Sequence, residues 1–402
     1  MGMLQHFRFV TAGESHGKGL VAIVEGVPAG TPIDAEGVRL ELARRQTGHG
    51  RGERMKIEKD AAEILAGVRL GDALGSPIGL LIPNRDWENW RLPMSVEPIH
   101  GSADEELRRV KLPRPGHADL VGVLKYDRRD ARDILERSSA RETAARVAVG
   151  ALARQLLAQF GIDIASHVVS LAGVDVRRLE TTDYPDDVNA AVSSSPVRCL
   201  DPEAEARMIE AIDAARAAGD TVGGIFEVIA RGLPVGLGSH IAWDRRLDAR
   251  LAAALMSIQA MKGVEIGLGF EASRLRGSQV HDEIEADDKR RASGGFRRRS
   301  NRAGGLEGGM TNGEPLTVRV AMKPLSTLMR PLKSVNLDSG EAADAVRERS
   351  DVTAVPAAGV VGEAMVAIVL ADAMREKFGG DSLREMRANF KAFLDHLERR
   401  SD

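Results

Sequence analysis

A chain of 402 residues, 43% hydrophobic and 29% charged, has the balance of a folded globular protein and is long enough for one large domain or two to three ordinary ones. A formal net charge of −3 excludes a global pull toward nucleic acid or membrane, and a single cysteine, Cys199, excludes an internal disulfide. No basic-then-apolar leader is visible and no apolar run reads as a bilayer span of ~18–20 residues, so the expectation is a cytosolic protein.

In chain order, the alternation and flanking Gly, Pro or Asn residues predict strands at 7–10, 20–27, 78–82, 164–172, 224–231 and 316–322. Helices are predicted at 34–46, 140–160, 202–218, 247–261, 360–378 and 382–399, with Asp34 and Asp201 as N-caps. The 140–160 helix is the best defined. Ala144, Val147, Ala148, Ala151, Leu152, Leu156 and Phe160 share one face, and Ser139 with Glu142 reads as a capping box. Three stretches, 84–115, 183–200 and 277–313, read as long loops of the kind that are functional or disordered. No repeat, linker or composition step divides the chain, which predicts one α+β domain over 1–402.

Only 11 of the 56 basic residues are Lys, leaving 45 Arg, and the 42 glycines gather in clusters. Arg matches carboxylates and phosphates with a planar fork of donors, although a GC-rich genome would also favour it. Clustered glycines mark tight turns or close approach to a ligand. The segment 11–19 fails as a phosphate loop because three residues, not four, separate Gly13 from Gly17 and Gly19 follows Lys18. It remains a turn presenting His16. Arg45 and Arg51 flank a Gly-rich turn at the end of a helix, with Arg44 before it and Arg54 just beyond, and these four could grip an anion or simply be solvated. Pro113, Pro115 and Gly116 stiffen the backbone around Arg114 and His117. Residues 137–143 form a capped helix start bearing Arg137 and Arg141, a natural anion site or an ordinary cap. The Arg- and Gly-rich run 296–313 leads to Lys323, Ser326 and Thr327, and a last turn carries Arg347, Arg349 and Asp351. Nine scattered histidines without an HExxH pair or a Cys cluster disfavour a metal.

Together these segments, 13–17, 114–119, 137–143, 304–313 and 349–352, closely resemble the chorismate synthase family, in the family's order and over most of the chain. The resemblance implies a β-α-β sandwich with helices between two sheet layers, assembled as a homotetramer. It also implies a 1,4-anti elimination of phosphate from 5-enolpyruvylshikimate 3-phosphate, giving chorismate in the shikimate pathway, with reduced FMN required but no net redox change. By position, Arg45, Arg51, Arg54, Arg114, Arg141 and Arg349 resemble the family's substrate-binding arginines. Arg137, Ser138, Ser139, Gln259, Ala260, Gly308, Lys323, Pro324, Leu325, Ser326, Thr327 and Arg349 resemble its flavin contacts.

His16 matches the histidine near the leaving phosphate, His117 the one near the flavin, and Asp351 the carboxylate near flavin N5. On that basis His16 is expected to donate a proton to the departing group, and His117 to stabilise the anionic reduced flavin. No GxGxxG follows a strand, so a nicotinamide (NADPH) site is not supported and reduced flavin is expected from an external flavin reductase. The loops 84–115 and 277–313 are expected to close over the flavin. Competing readings are a nucleic-acid binder using Arg297–Arg302, a flavoprotein doing net redox chemistry, and an inactive scaffold. The 3% aromatic content argues against the first of these.

Overall fold

The computed structural model describes residues 4–52, 59–101, 106–180, 183–347 and 351–400. In chain order its main elements are β1 (Arg8–Ala12), β2 (Gly19–Glu25), α1 (Ala35–Gln46), β3 (Glu63–Ala66) and β4 (Ile78–Pro83). Next come α2 (Asp119–Tyr126), α3 (Arg132–Ser138), α4 (Thr143–Ala158), β5 (Asp163–Leu171), β6 (Val174–Asp175), α5 (Pro202–Ala218) and β7 (Gly224–Arg231). The chain closes with α6 (Leu247–Met256), β8 (Met261–Ile266), β9 (Leu316–Met322), α7 (Val355–Phe378) and α8 (Leu383–Arg400).

Two antiparallel sheets enclose the helices, as the family resemblance led us to expect. The first has strand order β1-β2-β4-β3 and the second β8-β9-β7-β5-β6. Burial alternates along β2 and β4, so Leu20, Ala22 and Val24 of β2 and Ile78, Leu80 and Ile82 of β4 face inward. Phe226, Val228 and Ala230 do the same from β7. Between them lie α1, α4 and α7, and one apolar cluster runs through both sheets and the helices.

The middle helix α7 is buried from Val355 to Met374. By length and composition it would cross a bilayer, which the reading of the sequence missed, but its apolar window is wholly buried between the sheets as a core helix.

The helix pair α4 and α7 packs closely because Gly150 faces Ala364. A Cβ on Gly150 would stand 2.3 Å from the Ala364 Cβ, so the backbones must separate to admit it. Gly150→Ala is therefore expected to destabilise the protein by about 1–3 kcal/mol. Urea unfolding checks this, and an unchanged midpoint would mean the pair has slack.

Asp34 caps α1 and Asp201 caps α5 through backbone N–H groups, as read from the sequence. Other boundaries differ. The helix expected at 247–261 stops at Met256, because Ala260 takes a φ of +68° and Met261 opens β8. The helix expected from 360 starts at Val355, with Pro356 in its first turn, where the missing N–H is harmless. Ser139 does cap, accepting from the Arg141 N–H, but it opens a 3₁₀ turn and Glu142 does not reach back to complete a box. The stretches read as long loops hold short structure: a 3₁₀ helix at Arg85–Trp90, a helix at Val188–Ala191, and paired strands Ile284–Ala286 with Phe296–Arg298.

Candidate active site

At one end of the sandwich β1 ends, β2 begins, β4 ends, α4 and α7 begin, and α1 ends. The second sheet contributes the start of β8 and the end of β9 there. Two helix N-termini thus point partial positive charge at the place where most of the singled-out residues meet.

The β1–β2 turn carries His16. Gly13 sits at φ +107°, with Gly19 O 2.3 Å from where its Cβ would be, so only glycine fits there. Asn84, just past β4, ties the turn down by donating to Glu14 O (3.1 Å) and Gly17 O (2.7 Å). Its Oδ1 accepts from Arg141 Nε at 2.9 Å, which joins the histidine turn to the arginines.

Those arginines surround a carboxylate that the sequence did not suggest. Asp60 accepts from Arg45 Nη2 at 2.7 Å and from Arg141 Nη1. Burial pushes the Asp60 carboxyl up, but the two guanidinium groups outweigh it and hold it below the usual carboxylate range. Arg51 pairs with Asp351 at 3.0 Å, and Asp351 also accepts from the Gly52 N–H at 2.6 Å. Burial lowers the Arg45 guanidinium despite Asp60, and the like charges of Arg51 and Arg141 add to that. Three buried or half-buried guanidinium groups thus gather in one place, a lining suited to an anion.

A second charged group centres on His117. Its Nδ1 is 2.5 Å from Oδ1 of Asp119, and Arg114 reaches the same carboxylate through its backbone N–H, Nε and Nη2. Burial raises the Asp119 carboxyl, but bonds from His117 and Arg114 depress it well below the ordinary range, so it stays an acceptor. Arg114 Nη1 donates to Thr327 Oγ1 at 3.0 Å, and Lys323 Nζ donates to Gly116 O. The motif around His117 is thereby anchored to the segment after β9.

A second chain of bonds links the sheets. Arg137 donates to Thr11 and Gly13 carbonyls, and Thr11 Oγ1 donates to Glu142 at 2.9 Å. Glu142 in turn accepts from Gln259 Nε2 at 3.2 Å, and Ala260 O accepts from the Lys323 N–H at 3.0 Å. Among the described residues the buried Oε1 of Gln259 has no hydrogen-bond partner.

Hydrogen bonds and ion pairs thus connect the segments bearing His16, Arg45, Arg114, His117, Arg137, Ser139, Arg141, Gln259, Ala260, Lys323 and Thr327, with the Arg51–Asp351 pair beside Arg45, while Ser138, Pro324, Leu325 and Ser326 are their neighbours in the chain. Arg54 and Arg349 lie outside the described residues. Gly308 stands apart, at the tip of a hairpin whose Gly309 O accepts from Leu247 N at the start of α6. Gln259 follows the other end of that helix, about 15 Å along its axis.

Arg44, although next to Arg45, turns away onto Glu363. In the Arg-rich run, Arg297 pairs with Glu285, Arg298 with Glu307 and Arg299 with Glu283, which neutralises the charge a nucleic-acid binder would need.

The sequence reading missed Asp60, Asn84, Trp90 and Glu136, and had Glu142 only as a capping residue. Asp119 was inside a quoted motif, and its spacing from Arg114 and His117 was the available signal. The others are drawn in by tertiary packing and had none.

A double-sheet sandwich whose end gathers buried arginines, two carboxylate-bound histidines and two helix N-termini defines an enzyme for a small, multiply anionic molecule. The sequence profile described as Chorismate synthase matches residues 7–375. The chorismate synthase of Geobacter sulfurreducens is 58% identical over 394 residues, covering 97% of this chain and 99% of that protein. That of Aquifex aeolicus is 54% identical over 401 residues, covering 98% and 99%. A crystal structure of chorismate synthase aligns with a TM-score of 0.79 at 46% identity, covering 98% of this chain and 99% of that one. The chain belongs to the chorismate synthase family and is a lyase of the shikimate pathway.

Proposed function

We propose that this cleft holds 5-enolpyruvylshikimate 3-phosphate beside reduced FMN, and that its own side chains carry the substrate's charges and the leaving group's proton. The observation that carries this is the group of Arg45, Arg51 and Arg141, gathered and fixed around Asp60 and Asp351. The substrate brings two carboxylates and a phosphate, and taking those out of water requires several fixed cations. Arg114, held by Asp119, extends the cationic wall on the far side.

His16 donates a proton to the departing phosphate, which converts a poor leaving group into a better one. The residues present fit reduced FMN. Gln259 Oε1 is a buried acceptor without a partner, and Arg137, Ser138, Ser139, Lys323, Ser326 and Thr327 supply donors for a phosphate and a polar ring edge. When bound, reduced FMN supplies electron density to the breaking C–O bond and regains it as the ring proton leaves, so no reductant is consumed. His117 and Asp351 are the groups we assign to the flavin ring.

We further read the chain as one domain acting in the cytosol as a homotetramer, with loops near 84–115 and 277–313 closing over bound ligands. Reduced flavin comes from an external reductase.

The test is an anaerobic assay of purified protein with chemically reduced FMN and 5-enolpyruvylshikimate 3-phosphate, following chorismate and phosphate together. Many turnovers per flavin are expected. Flavin that binds without product, or that is oxidised in step with product, would sink the reading.

A further inference from the structure

We infer that Glu136 is the positioning residue that fixes the His16 imidazole, holding the Nδ1 proton so that Nε2 is the atom offered to the leaving group; this rests on His16 acting as proton donor. Glu136 sits on α3 and is buried. Its Oε2 accepts the His16 backbone N–H at 2.8 Å, and its Oε1 lies 2.9 Å from His16 Nδ1. Its own carbonyl accepts the Ser15 N–H at 2.9 Å. One residue therefore grips backbone and ring of the same histidine, which fixes the turn and the ring's direction together.

The proton's place follows from what Glu136 is. Burial raises its carboxyl, but bonds from His16 and from Arg132 outweigh burial and hold it below the ordinary range. Arg132 Nη1 donates to the same Oε1 at 3.0 Å and so helps keep the group ionised. An ionised carboxylate only accepts, so the hydrogen between it and Nδ1 must belong to the histidine. Nδ1 is thereby committed, and proton exchange with ligand runs through Nε2.

The ring is also held flat. Trp90 stacks on His16 with centroids 3.8 Å apart and planes 21° from parallel. Arg108 lies over the Trp90 ring at 4.1 Å, and Arg132 at 5.0 Å while also bonding Glu136. Trp90 Nε1 donates to Asp86 at 2.9 Å, which stops the indole from swinging out. A residue meant only to fill space would not need this cage.

The experiment is a double-mutant cycle of Glu136→Gln and His16→Ala, measured as kcat and KM with reduced FMN and 5-enolpyruvylshikimate 3-phosphate. It is joined to ¹⁵N spectra of histidine-labelled wild type and Glu136→Gln. We expect Glu136→Gln to lower kcat by roughly 10²–10³-fold with KM within about 3-fold, as when a histidine's orienting carboxylate is replaced elsewhere. On the His16→Ala background the same change should cost under about 3-fold, because the two act as one unit. Wild-type His16 should be protonated at Nδ1, and Glu136→Gln should mix the tautomers. An equal loss on both backgrounds would make Glu136 a structural residue and overturn the inference. So would a wild-type His16 protonated only at Nε2, a reading that does not depend on the variant folding. If His16→Ala alone keeps full kcat, the donor role falls instead, and the spectra still decide who holds the ring.

Discussion

His16→Ala protein, saturated with substrate and reduced FMN, should turn over about 10²–10⁴-fold more slowly than wild type while binding substrate with little change. The reasoning is that phosphate leaves as a multiply charged anion unless a proton arrives with it. His16 is the imidazole on the sheet-one wall of the cleft, tethered at Nδ1 to Glu136 with its other nitrogen turned from that carboxylate. In the proposed reading the substrate's charges are held by Arg45, Arg51 and Arg141 rather than by His16, so KM should be nearly unaffected. A rise in KM with kcat intact would make His16 a phosphate-binding residue and end its role as an acid.

Glu363→Ala should lower unfolding stability by about 3–5 kcal/mol, far more than an ordinary core truncation of its size. Glu363 is fully buried on α7. It accepts from Arg44 at 2.8 and 2.9 Å, from Arg154 at 2.6 Å, from Arg198 at 3.1 Å and from Ser166 Oγ at 2.6 Å. Removing it leaves three guanidinium groups sharing a poorly solvated space, with Glu41 the one carboxylate left paired to them among the described residues. Burial raises its carboxyl, but Arg44, Arg154 and Arg198 hold it at about 2, against an ordinary 4.5. A folded-state value below the unfolded one gives stability that is complete above pH 4.5 and is lost as pH falls toward 2. Denaturant titrations at pH 7 and pH 3 check both statements. A loss under about 1 kcal/mol at pH 7, or a wild-type stability that does not fall at pH 3, would show that the arginines are content without it.

Much of the layered core was legible in the sequence because it is written in local periodicity. Leu20, Ala22 and Val24 alternate, and Ala144, Val147, Ala148 and Ala151 recur at helical spacing. The ends were harder. Pro356 was a usable sign that α7 starts five residues earlier than its periodicity suggested. Nothing local announced that Ala260 would adopt a left-handed backbone and stop α6 short.

The site split the same way. His16, His117 and Arg141 lie in motifs whose glycines, prolines and caps advertise constrained backbone. Asp60 is an unremarkable aspartate in sequence and becomes the pivot of two buried arginines only because α1 ends where α4 begins. Glu136 reads as one more surface acid on a short helix. It is internal because Arg132 and His16 are both within reach of its carboxylate.

The contact between Gly150 and Ala364 has a meaning beyond packing. His16 and Asn84 hang from the first sheet, Lys323 and Gln259 from the second, and the helix pair between them sets how far apart those two jaws stand. The core therefore acts as a gauge block. A methyl group added about two helical turns into α4 changes the bite of the cleft as surely as a change in its lining, which makes the interior of the sandwich a means of adjusting turnover without touching any group that meets the substrate.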